Sequence, residues 1–158
     1  MRLPFVSLVR QLAIQASRTL QASSKWRREL ILSLGALLGF ISVAFGAFAE
    51  HGLREGISEE HFRFAMTAVR YNQIHSVVTV ALGLAALSES PFTRMRYFTL
   101  STTLFIIGTC LFSFSIYLGV SLELPAFFNI TPIGGISIMI AWLLLSLSAA
   151  LEIRKQTS

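Results

Sequence analysis

The stretch LILSLGALLGFISVAFGAFA, residues 30–49, contains twenty residues and no charge. At about 1.5 Å per helical residue it covers the roughly 30 Å hydrocarbon core of a bilayer, so it reads as a membrane span. The rest of the composition agrees. Of 158 residues, 54% are hydrophobic and only 13% charged, with a mean hydropathy of +0.67. That balance is far from the soluble average and predicts an all-α integral membrane protein. The single cysteine, Cys110, excludes an internal disulfide and any CxxC metal or redox motif.

Outward from this span, residues 98–120 and 133–151 are also uncharged and long enough to cross. Ahead of the last one, TPIGG (131–135) offers Thr131 as N-cap and Pro132 at the first helical position. The second span needs more argument, because its strictly apolar part, 77–87, is too short alone. Ser58 followed by Glu59 and Glu60 marks a helix start, and no Pro or Gly interrupts the chain until Gly83. One helix is therefore expected from about 58 to 87, with residues 65–87 in the membrane. The expected architecture is a four-helix bundle over 30–152, flanked by a basic extension (1–29) and a short tail (153–158).

The net charge of +5 is a topology signal once it is located along the chain. Ten of the thirteen Lys and Arg lie in the N-terminal extension, the 88–97 loop and the C-terminal tail. The other three, Arg54, Arg63 and Arg70, are near the 50–58 connection, so the positive-inside rule places both termini in the cytoplasm. Nucleic acid is not an expected partner; the lipid bilayer is, together with a second copy or another membrane protein. Residues 1–29 carry no acid before Glu29, and Phe5, Val9, Leu12, Ala16 and Leu20 recur at helical spacing. Three readings stand for them: an interfacial amphipathic helix, a disordered basic tail, or an organellar transit segment.

Small residues supply the packing seams that replace hydrophobic drive inside lipid. At 100° per residue, Gly35, Gly39, Ser42 and Gly46 share a stripe on the first helix. Ser101, Gly108, Ser115 and Gly119 do so on the third, and Gly134, Ser137, Ala141 and Ser148 on the fourth. The segment RYNQIH (70–75) divides in the same projection. Tyr71, Asn72 and His75 turn into the bundle, whereas Arg70 and Gln73 continue a water-facing stripe, where Arg70 can snorkel or pair with Glu50.

Four segments, GALLGFISVAFGAFAEHGL (35–53), AVRYNQIHSVV (68–78), GTCLFSFSIYL (108–118) and TPIGG (131–135), resemble in order and spacing the YgdD-like family of small four-helix membrane proteins. The resemblance implies a multi-pass protein of the bacterial inner membrane, without a settled activity. It points to Gly46, His51 and Gly52, to Tyr71 and His75, to Ser113, Ser115 and Tyr117, and to Thr131, Pro132, Gly134 and Gly135. The chain departs from the pattern at Glu50 and Phe114.

For His75 two roles remain: a proton relay, or a hydrogen bond across the bundle to Ser113, Ser115 or Tyr117 that fixes helix register. No metal site is expected, since His61 is fourteen residues from His75, about 21 Å along a helix. His51 is expected to cap the first span within the Gly52 turn. No nucleophile elbow, phosphate loop or haem motif occurs, so neither catalysis nor a cofactor is expected. The function reading is a non-enzymatic scaffold or assembly partner. The alternatives are a small oligomeric transporter or channel using His75, and a surface enzyme around Glu50, His51 and Arg70.

Overall fold

The computed structural model describes residues 4–88 and 90–157, with the side chains of 4–9, 18, 20, 21, 23 and 24 left out of the description. Its described elements are helical: α1 (Pro4–Phe48), α2 (Glu59–Leu87), α3 (Arg96–Thr109), α4 (Ser115–Ser121) and α5 (Thr131–Gln156). A π turn at Cys110–Phe114 joins α3 and α4 into one rod, and a second, Ala49–Leu53, extends α1. Three segments among the described residues are long and apolar enough to cross a membrane: Lys25–Leu53, Arg96–Ser121 and Pro125–Gln156.

The 29/30 boundary expected between extension and bundle falls inside α1, which runs through it without a break. The extension is helical from Pro4. Leu12, Ile14 and Trp26 along it are exposed. The side chains of Phe5, Val9 and Leu20, expected on its apolar face, lie outside the described residues.

α2 begins where its sequence puts it. Ser58 is extended (ψ 152°), and its hydroxyl accepts a hydrogen bond from the His61 N–H at 3.2 Å. α5 begins differently from expectation. Ile130 is the cap residue, Thr131 is already helical, and the Thr131 hydroxyl meets Ser115 Oγ at 2.7 Å instead of capping.

The most extensive helix contacts join α1 to α2 and α3 to α5, giving two antiparallel hairpins. Both depend on glycine. A Cβ on Gly35 would stand 2.8 Å from the Val80 amide nitrogen, and one on Gly83 would stand 2.9 Å from that of Leu32. On the other hairpin, a Cβ on Gly108 would meet Ser137 Cβ at 3.0 Å and Ile138 Cγ1 at 2.9 Å. Gly119 does not join that helix seam; it faces the Phe128 ring of the Pro125–Asn129 turn. Backbones approach this closely only where side chains are absent, and in lipid such contact carries association.

α2 also lies against α3, which ties the hairpins together. Two apolar cores result, one around Ala65, Ala68, Val69 and Tyr117, the other around Leu82, Phe98, Phe105 and Ala141. Between them along α2 come buried Asn72, His75, Ser76 and Thr79. A polar belt thus crosses the middle of the bundle.

Candidate functional site

Ser76 and Thr79 satisfy their hydroxyls on carbonyls of their own helix, as does Ser42 on α1. Their contribution is small size. The side chains that reach another helix are fewer. Ser113 donates to the Ala68 carbonyl at 3.1 Å, and Ser101 donates to the Ala141 carbonyl at 2.7 Å. Asn72, with no exposed surface, donates from Nδ2 to the Tyr117 hydroxyl at 3.3 Å, and Tyr117 stacks on Phe45 of α1. Polar contacts therefore join α2 to the Cys110–Phe114 turn and α4, and α3 to α5, while α1 and α2 meet at glycines.

His75 is 4% exposed, and its ring lies over Phe105 of α3. Its Nδ1 is 2.7 Å from the Tyr71 carbonyl, which can only accept, so Nδ1 carries the proton. Its Nε2 faces the indole N–H of Trp142 on α5 at 3.4 Å, and an indole can only donate. The two contacts fix one neutral tautomer with the Nε2 lone pair turned toward α5. The expected partners Ser113, Ser115 and Tyr117 are engaged elsewhere. The physical reason is the π turn at Cys110–Phe114, which adds a residue to the turn and rotates the rest of the rod away from a 100° projection.

Around this pair a cleft of about 510 Å³ separates α2 from α5, lined by Tyr71, Ile74, His75, Phe112, Met139 and Trp142 among others. Tyr71 stacks on Phe112 with ring centres 4.6 Å apart, and Phe105 meets Trp142 edge-on at 5.0 Å. Trp142 is 45% exposed and Met139 60%, so this rim belongs to the outer surface of the bundle.

The groups near the first connection do not gather into a site. Glu50 pairs with Arg54, four residues further on, and not with Arg70, and the Arg54 guanidinium lies over the Phe62 ring. Arg70 is exposed. His51 is exposed in that turn and does not close α1 as a cap. Gly52 has no left-handed backbone; a Cβ there would press on the Phe48 ring at 3.0 Å. His, Cys and Glu do not cluster in threes among the described residues.

The sequence profile of a family described as a protein of unknown function, DUF423, matches residues 45–135. That is more than half of the chain. The chain belongs to the DUF423 family. A UPF0382 membrane protein of Haemophilus influenzae is 36% identical over 115 residues, which are 73% of this chain and 89% of that protein. The UPF0382 inner membrane protein YgdD of Escherichia coli is 31% identical over 128 residues, 81% and 95% of the two chains. YwdK of Bacillus subtilis, another UPF0382 membrane protein, is 27% identical over 121 residues, 77% and 96% of the two. No solved structure matches.

Within the DUF423 match lie both π turns, Tyr71, His75 and the Gly134–Gly135 pair, whereas Trp142 lies beyond it. Trp142, Asn72 and Phe105 were not singled out as site residues by sequence. The inward arc of RYNQIH contained Asn72. For Trp142 the available signal was an aromatic with a donor in mid-span.

Proposed function

We propose that this DUF423 chain is a non-enzymatic scaffold or assembly partner, crossing the bacterial inner membrane four times with both termini in the cytoplasm. One observation carries the reading: most buried polar side chains of the described bundle bond to another helix or to their own, with Asn72 Oδ1, Thr109 Oγ1, Ser121 Oγ and Glu152 Oε2 left over, and backbone meets backbone at Gly35 and Gly134. Asn72 with Tyr117, Ser113 with Ala68 and His75 with Trp142 are joints between helices. α2 qualifies as the fourth span through its partners. Its outward side from Ile74 through Val77, Leu84 and Leu87 is exposed and apolar, and its inner side is covered by α1 and α3. The asymmetry of Lys and Arg supports the orientation.

A scaffold works by association, and in the most apolar stretches of Lys25–Leu53 and Pro125–Gln156 only 17% of the residues are buried. Native-membrane cross-linking with mass determination tests this. Species larger than one chain are expected; a chain that remains monomeric at native abundance contradicts the scaffold reading. The transporter alternative needs a lumen along the axis, against which the Gly35 and Gly134 contacts argue.

A further inference from the structure

The α2–α5 cleft is built like a receptor for a ring. Tyr71, Phe112 and Trp142 supply flat apolar walls, Phe105 lies beneath His75, and Ile74 and Met139 form an apolar mouth. About 510 Å³ is within the range of small-molecule sites and holds a substituted ring with the start of a tail. Polar lining is sparse. Tyr71 carries a hydroxyl, which can donate or accept and so does not discriminate. His75 Nε2 does discriminate, because the tautomer fixed by the Tyr71 carbonyl leaves it an acceptor only.

That acceptor is weakly held. The Trp142 N–H reaches it at 3.4 Å, beyond the usual 2.7–3.2 Å for such bonds, and the indole is nearly half exposed. A ligand O–H could reach Nε2 at normal length and displace the indole toward the rim. A carbonyl in the same place would face a lone pair. Lys, Arg, Asp and Glu are absent from the lining, so an anionic or cationic head group finds no counter-charge.

We infer that this cleft binds a membrane-borne lipid with an aromatic hydroxyl head group of the hydroquinone type, donating its O–H to His75 Nε2 while its tail leaves between Ile74 and Met139. The inference rests on the multi-pass reading only in that the cleft must face the bilayer.

The test uses the full chain in nanodiscs under anaerobic conditions, titrated calorimetrically with decylhydroquinone, its dimethyl ether and decylbenzoquinone, with empty nanodiscs as the partition baseline. Decylhydroquinone is expected to bind about tenfold more tightly than the ether, the worth of one hydrogen bond, and more tightly than the quinone. His75→Leu should abolish the preference. Trp142→Phe, which keeps a ring in the wall and removes the competing N–H, should strengthen hydroquinone binding. A structural role alone would not produce that strengthening, and this variant keeps the test decisive if His75→Leu does not fold. Equal binding of hydroquinone and ether, binding no better than empty nanodiscs, tighter binding of the quinone, or loss of binding in Trp142→Phe would each overturn the inference. Loop labelling reads topology without any ligand, so the two readings fail separately.

Discussion

Gly134 rests on the backbone of Phe112: a Cβ added to it would lie 2.7 Å from the Phe112 Cα and closer still to its amide nitrogen. Its neighbour Gly135 has room, since a Cβ there would meet only the Phe112 ring at 3.7 Å. The two glycines of one motif therefore do different things. Gly134 sets the distance between α5 and the π turn, and Gly135 borders the cleft.

Gly134→Ala should destabilise the bundle by about 1–3 kcal/mol or more, because backbone cannot retreat as a flexible side chain would. Gly135→Ala should change stability by less than about 0.5 kcal/mol. Unfolding midpoints in a mixed-micelle SDS titration distinguish the pair; equal losses would contradict the close approach of α5 to the Cys110–Phe114 turn.

Asn72 and Tyr117 lie in different helices and share a buried hydrogen bond. A double-mutant cycle with Asn72→Leu and Tyr117→Phe should give a coupling of about 0.5–1.5 kcal/mol, the range for hydrogen bonds between helices in membranes. Strictly additive losses would separate the two residues.

His75→Ala removes both hydrogen bonds and the ring contact with Phe105, and should cost about 1–3 kcal/mol in the same titration. Wild-type stability in that variant would show that register does not depend on the imidazole and would return attention to proton relay.

Glu123 lies just past the end of α4 with φ 53°, and Leu124 N–H returns to the Gly119 carbonyl at 3.1 Å. This is the helix stop that normally uses glycine, and a residue with a Cβ there is strained by about 1–2 kcal/mol. Glu123→Gly should raise the unfolding midpoint; a lowered one would mean the carboxylate makes a stronger contribution than the strain.

Three long apolar helices, the seams apart from Gly119, and the inward turn of Asn72 and His75 were legible because periodicity and residue size operate over whole helices. Ser58 was legible because a cap is a local event. Tyr71 was placed inward by the same projection and is only partly so: it is 39% exposed while its ring stacks on Phe112. The partners were not legible. Each π turn inserts a residue that no composition signal announces, and the one at Cys110–Phe114 moves Ser113, Ser115 and Tyr117 relative to His75. Trp142 meets His75 across a gap where the helix backbones do not touch, and such a contact arises from tertiary placement of two hairpins. The Thr131 hydroxyl had two available uses, and packing against Ser115 prevailed over the cap.

Whether α2 is a true span carrying the polar belt through the membrane is read by thiol labelling of its two ends. In a Cys110→Ala background, Glu55→Cys and Ser88→Cys are treated with a membrane-impermeant maleimide on intact spheroplasts. Labelling of the Glu55→Cys protein from outside is expected, and of the Ser88→Cys protein only after the membrane is permeabilised. Labelling of both positions from the same side would contradict a spanning α2.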